Sequence, residues 1–313
     1  VGNLLPHVVV PAVMAQHLIP QWGLTASEAG LMASSFAVGY MLTVPVLATL
    51  TDRIDARGIL LVGSAVSALA TLAFGLLANG LWSATAIWGL AGIGFAGAYM
   101  PGLKAMTDRL PPGDASRSIT LYTSSFSFGV GISFLVSQLV ADQWGWRAAF
   151  LLTGLGPIVM IGVCLAMPAV RPVPTNRRLL DFGPVVRNRP AMGFVLGYGA
   201  HCFELYGIRT WIVAFWAYVA SRNGGAVPLG PVAVSVIFAV LAMPASILGN
   251  EAALRFGRHR TLTALMFASA AVAIAIGAMS AAVAMLPGPI DARPNARMKK
   301  MIGIIPRLPR QLC

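Results

Sequence analysis

The chain has 313 residues, 57% of them hydrophobic and only 10% charged, with a mean hydropathy of +0.77. Soluble domains carry roughly 25% charged residues, so this composition excludes a water-soluble enzyme, and it excludes intrinsic disorder, which needs low hydrophobicity. The net charge of +12 does not indicate nucleic acid, because the basic residues sit in short clusters between long uncharged runs and not on one face of a soluble body.

A membrane-spanning helix needs about 20 mostly apolar residues. Runs free of Asp, Glu, Lys and Arg cover 1–27, 29–51, 118–141, 148–170, 223–250 and 261–290. The run 58–103 is long enough for two helices, with Asn79, Gly80 and Ser83 marking a turn at its middle. Residues 190–221 are apolar except for Glu204 and Arg209. The pattern predicts nine helices, at about 4–20, 29–50, 58–79, 82–103, 118–140, 148–169, 191–219, 227–249 and 261–286. Backbone in lipid must be helical or a closed barrel, and these runs are too long and too evenly apolar for barrel strands. The expected fold class is an all-α polytopic membrane protein. Val1 is not a start methionine and no signal peptide precedes the first span, so the start reads as a truncated or processed end.

Lys and Arg favour cytoplasmic loops. The loops after spans 2, 4, 6 and 8 hold thirteen basic residues, among them Arg53, Arg57, Lys104, Arg109, Arg178, Arg255 and Arg258, whereas the opposite loops hold only Arg147 and Arg222. This bias places the N-terminus in the cytoplasm. Residues 287–313 break the order. They carry Arg293, Arg297, Lys299, Lys300, Arg307 and Arg310 against Asp291 alone, yet nine spans leave them on the opposite side. They read as a non-native continuation, such as a frame error produces; the alternative is a basic segment lying on the membrane.

The segment after span 2 reads Ala48-Thr49-Leu50-Thr51-Asp52-Arg53-Ile54-Asp55-Ala56-Arg57. It resembles the loop signature of the major facilitator superfamily, Gly-x-Leu-Ala-Asp-Arg-x-Gly-Arg-Arg. Leu50, Asp52, Arg53 and Arg57 match; Ala48 and Asp55 stand for the two glycines, and Ala56 for the first arginine of the closing pair. A second copy after span 8 keeps Arg255, Gly257 and Arg258, with Leu254 in place of the Asp. Trp144-Gly145-Trp146-Arg147 resembles the Gly-Trp-Arg start of helix 6 in that superfamily, and a basic linker at 170–190 lies where its two halves join. Trp88 takes the place of a helix 4 arginine found in many members.

The resemblance, over about 1–286, implies a six-helix bundle at 1–169, a cytoplasmic linker at 170–190, helices 7–9 of a second bundle at 191–286, and a tail at 287–313. Against a twelve-helix family the chain reads as truncated. The resemblance also implies a secondary transporter in a bacterial-type inner membrane, moving a small solute by alternating access. It implies a gating role for the loop residues Asp52, Arg53, Arg57, Arg255, Gly257 and Arg258.

Charges at the bilayer centre are costly and usually face a cavity or partner. Glu204 lies about 20 Å into span 7 at 1.5 Å per residue. His201 is three residues before it, on the same face. Arg209 is five residues on, a poor intrahelical pair unless Gly207 lets the helix break. Glu204 or His201 is the candidate proton carrier, because a desolvated carboxyl protonates more readily; Arg209 is the candidate anion site. Tyr206, His17, Tyr40 and Tyr122 are further candidates for solute or proton contacts. The bland reading of each is a structural hydrogen bond between helices.

Gly92-Ile93-Gly94-Phe95-Ala96-Gly97 matches a dinucleotide fingerprint, but that motif needs a strand before it and a helix after it. Inside a span it reads as small-residue helix packing. Cys164 and Cys202 read as apolar filler. Span 5 carries Gly129-Val130-Gly131 and not the Gly-Pro pair of antiporter branches, which disfavours drug–proton exchange. No cofactor, metal spacing, nucleophile motif or nucleic-acid partner is expected, and the chain is expected to be a monomer in the lipid bilayer. The other function considered is a non-transporting membrane protein, either a sensor or an inactive fragment.

Overall fold

The computed structural model describes residues 1–111, 115–172, 178–222, 229 and 231–285. The tail at 287–313 lies outside them. Among the described residues there is helix and no strand. The helices are α1 (Val9–Val13), α2 (Ile19–Trp22), α3 (Ala26–Leu50), α4 (Ala56–Leu77), α5 (Leu81–Thr107), α6 (Ala115–Trp144), α7 (Trp146–Ala166), α8 (Gly183–Arg187), α9 (Arg189–Arg222), α10 (Pro231–Phe256) and α11 (Arg258–Met285). Among the described residues six helical stretches are long and apolar enough to cross a membrane: Ala26–Leu50, Ala56–Leu77, Leu81–Thr107, Ser118–Trp144, Trp146–Ala166 and Arg258–Ala278. Helices α9 and α10 take the places expected for spans 7 and 8.

The expected first span differs most from a plain helix. It is a 3-10 turn at Gly2–Leu4, then α1, a π-helical turn at Met14–Leu18, then α2. Pro6, Pro11 and Pro20 fall in this stretch, and each lacks the amide hydrogen an α-helix needs. Gly23 ends the segment with φ +61, a conformation that costs glycine little.

The other ends have local causes. Thr25 and Glu28 form a reciprocal capping box on α3: the Thr25 amide donates to Glu28 Oε2 at 2.8 Å, and the Glu28 amide to Thr25 Oγ1 at 3.3 Å. Such a box satisfies two orphan amides at a helix start. The turn expected at 79–83 is present: Ser83 Oγ donates to Asn79 Oδ1 at 2.9 Å and accepts from the Asn79 amide at 3.1 Å.

Helix α5 packs on α3 and α4, α4 on α7, and α6 on α7 and the N-terminal segment. The α3–α5 and α4–α5 contacts are backbone-close. A methyl on Gly92 would drive into the Phe36 carbonyl, one on Gly94 into Ser67, and one on Gly63 into Gly97. The glycines of the apparent dinucleotide motif are therefore packing residues of a helix, as small residues are in membrane interiors.

The core has two levels. One gathers Val13, Met32, Phe74, Trp88, Trp146 and Phe150; the other gathers Leu4, Leu60, Phe95, Val130 and Cys164. Phe74 and Phe150 stack at 4.0 Å, and Trp88 lies 5.0 Å from Phe36 and 5.9 Å from Phe74. Trp88 thus fills its place in α5 with hydrophobic packing and not with a charge. The second half is joined chiefly through α10, which packs on α6, α9 and α11. Ser124 of α6 donates to Ser246 of α10 at 3.1 Å.

Candidate functional site

Glu204, the acid expected within span 7, sits on α9, which runs unbroken from Arg189 to Arg222. The break at Gly207 that would have let Arg209 turn back onto Glu204 is not there. Residues 203–211 are helical throughout, and a glycine is tolerated in a helix interior at roughly 1 kcal/mol. The side chain of Arg209 lies outside the described residues. Glu204 accepts a hydrogen bond from Ser269 Oγ of α11, and His201 Nδ1 stands 3.9 Å from Glu204 Oε2. The i, i+3 spacing brings these two groups onto one face. The carboxylate is thereby shared between two helices, and Ser269 is a partner that nothing in the sequence pattern singled out.

The Tyr40 ring of α3 lies 5.7 Å from Phe95 of α5, and Phe95 stacks on Tyr99 at 5.9 Å. Tyr122 of α6 donates its hydroxyl to the Tyr99 carbonyl at 2.7 Å. Tyr40 and Tyr122, picked out separately from the sequence, therefore belong to one aromatic cluster with Phe95 and Tyr99, whereas Tyr206 lies exposed on α9. A hydroxyl-bearing ring in the middle of an apolar run was the only signal for Tyr99.

His17 is elsewhere. It lies in the π-helical turn, with Nε2 3.4 Å from Asp142 Oδ1 near the end of α6. Beside it, Trp146 Nε1 donates to Gln21 Oε1 at 2.5 Å, and Arg147 Nη1 donates to the Gly75 carbonyl at 2.8 Å at the end of α4. The Trp-Arg pair thus closes the α4 and α6–α7 end of the bundle. His7, by contrast, packs against Phe36, Phe95 and Phe126 at 4.6–5.2 Å.

At the loop motif, Asp52 and Arg53 are exposed. Arg57 reaches the end of α7, with Nε donating to the Cys164 carbonyl at 2.7 Å and Nη2 to the Leu165 carbonyl at 3.0 Å. A cation at a helix C-terminus satisfies orphan carbonyls and complements the helix dipole. Asp55, which stands where the motif has glycine, is the hub. It caps α4 by accepting the Arg57 amide at 2.9 Å, takes Arg109 Nη2 on both oxygens at 3.1 and 3.0 Å, and accepts the Val170 amide at 2.9 Å. Arg109 also donates to the Pro168 and Ala105 carbonyls. Burial works to raise the Asp55 carboxyl, but the Val170 and Arg57 amides and the Arg109 guanidinium together outweigh it and hold the group below its ordinary value. The turn here needs no glycine, because the aspartate at φ -55 starts α4 as its N-cap. In the second copy the turn between α10 and α11 does use glycine: Gly257 has φ +92. Arg255, Gly257 and Arg258 are all exposed.

Long apolar helices, backbone-close glycine contacts and ionisable groups held between helices define an integral membrane protein of the polytopic helical class. Residues 5–288 match the Major Facilitator Superfamily, and the chain belongs to that family. It is similar to the niacin transporter NiaP of Acinetobacter baylyi, 27% identical over 52% of this chain and 37% of the relative. It is also similar to multidrug resistance protein D of Escherichia coli, 27% identical over 80% of this chain and 61% of the relative. A third relative is the gallate transporter of Pseudomonas putida, 26% identical over 49% of this chain and 34% of the relative. The chain thus spans between a third and two thirds of the length of these relatives.

Proposed function

We propose that the chain carries a small organic anion across a bacterial-type inner membrane by alternating access, coupled to protons. The observation that carries the reading is Glu204, an acid within a span, bound by Ser269 of another helix and 3.9 Å from His201. An ionisable group at such a place is costly and by default functional. Membership of a transporter family supports the class, and two relatives named for niacin and gallate, both carboxylic acids, support an anion.

In this reading Glu204 takes and releases the coupling proton, with His201 tuning it, and Arg209 holds the solute's carboxylate. Residues 1–169 and 191–286 rock against each other about a cytoplasmic linker at 170–190, with the N-terminus in the cytoplasm. Asp52, Arg53 and Arg57 with Arg255, Gly257 and Arg258 form the paired gating loops. The hold of Arg57 on the end of α7 supports a bracing role. The protein works as a monomer and not as an enzyme. Replacing Arg209 by Gln is expected to abolish protein-dependent uptake of nicotinate into vesicles while leaving expression and thermal stability intact. Unchanged uptake would remove Arg209 from the site.

A further inference from the structure

The segment between α7, which ends at Ala166, and α9, which starts at Arg189, mixes two kinds of side chain. Residues Arg178-Leu179-Leu180-Asp181-Phe182-Gly183-Pro184-Val185-Val186-Arg187-Asn188-Arg189 are all exposed. Leu179, Leu180, Phe182, Val185 and Val186 leave 37–61% of their surface open. Open apolar residues on the long helices face lipid, but these five lie between helices, so a span does not account for them. One exposed apolar residue is ordinary, whereas a contiguous group marks a surface with a partner.

The local geometry gathers the apolar groups. The Val185 and Val186 amides both donate to the Phe182 carbonyl, at 3.1 and 3.0 Å. Phe182, Val185 and Val186 therefore stand at i, i+3 and i+4, on one face of the turn that is α8. Asp181 accepts the Gly183 amide at 3.2 Å and so starts that turn. Arg178, Arg187 and Arg189 set the charge of the segment, against Asp181 alone. Both flanks are fixed at helix ends. The Val170 amide donates to Asp55 at the start of α4 at 2.9 Å, and Asn188 Oδ1 accepts the Ala191 amide in the first turn of α9 at 3.2 Å.

We propose that residues 178–189 lie on the membrane surface, with Phe182, Val185 and Val186 sunk among the headgroups and upper acyl chains and Arg178, Arg187 and Arg189 bound to the phosphates of anionic lipids. Apolar burial and attraction to anionic lipid together hold such interfacial segments. Charge complementarity selects the anionic surface: a guanidinium fork matches a phosphate, and basic clusters beside spans are drawn to a negative leaflet. The segment between the two parts of the chain is then tethered to the bilayer and is not a free loop. This surface goes beyond the transport reading and does not depend on it.

The test is spin-label accessibility in the full chain, with Cys164, Cys202 and Cys313 replaced and a nitroxide on Val185→Cys, in nanodiscs of phosphatidylglycerol or of phosphatidylcholine. In phosphatidylglycerol the label is expected to meet oxygen and to exclude a water-soluble nickel chelate. In phosphatidylcholine, or with Arg178→Gln, Arg187→Gln and Arg189→Gln combined, nickel access should rise, the docked-to-free ratio falling about fivefold for each arginine removed. Phe182→Ser with Val186→Ser should release the label in phosphatidylglycerol as well. All these side chains are exposed, so the packed core is untouched, and unchanged melting of each variant confirms the fold. A label open to nickel in both lipids overturns the proposal. Immersion that is equal in the two lipids, or indifferent to the arginines, overturns it too.

Discussion

Asp55 shows how one carboxylate can replace a turn. It accepts two amides and a guanidinium, and it ties the start of α4 to the ends of α5 and α7. Hydrogen bonds to a charged group contribute about 1.5–3 kcal/mol when buried, and the pair here is partly open, at 22% for Asp55 and 12% for Arg109. Asp55→Ala is therefore expected to destabilise by the order of 1–2 kcal/mol, read as a lower melting temperature in detergent. Because the folded carboxyl is held below its ordinary value, its contribution is complete above about pH 4 and fades as pH falls through the lowered value. Wild type and Asp55→Ala should differ at neutral pH and converge on acidification; a difference that grows in acid would contradict the assignment. The acidic matching residue Asp52 was legible as part of a motif, whereas Asp55 registered only as a departure from glycine. Its value depends on Val170 and Arg109, more than 50 residues away in the chain, and no local pattern announces them. An aspartate directly before an apolar helical run was the available signal.

At the scale of elements, hydropathy located the helices well because lipid leaves a spanning chain few alternatives. The structure lengthens most of them, for example to 115–144 against 118–140, since ends continue past the apolar window until a cap or glycine stops them. Gly145 at φ +84 is such a stop. The interrupted first segment was not foreseen, although Pro6, Pro11 and Pro20 were visible: apolar content alone sets a span, and proline decides its regularity. The α4–α5 contact rests on Gly63, Gly94 and Gly97 approaching backbone to backbone. Gly97→Leu should force these helices apart and cost several kcal/mol, as overpacking of an interior typically costs about 1–3 kcal/mol before helix displacement is added. Loss of monodisperse protein on size exclusion is the expected reading, while Gly162→Leu, with open space around it, should leave the profile unchanged. A normal profile for Gly97→Leu would contradict the close packing.

At the scale of the whole molecule, the two parts of the chain meet through α6 and α10, where Ser124 and Ser246 touch. If the parts rock during transport, holding this contact shut should stop them. A Ser124→Cys/Ser246→Cys pair, built with Cys164, Cys202 and Cys313 replaced, is expected to crosslink under mild oxidation and to lose uptake, with recovery on reduction; full uptake in the crosslinked state would show that α6 and α10 stay together throughout. The candidate site was legible in part for the same reason. Glu204, His201 and Tyr206 stood out as polar residues in an apolar run, and helical spacing grouped them. Ser269 joins them only through helix packing, which one sequence does not specify.

The most direct measurement is flux of labelled nicotinate into proteoliposomes under an inward proton gradient, with and without a protonophore, for wild type and Glu204→Gln. The account predicts saturable, protein-dependent accumulation that the protonophore collapses and that Glu204→Gln no longer couples to the gradient. Protein-dependent accumulation that ignores both the gradient and Glu204, or no flux above protein-free vesicles, would contradict it.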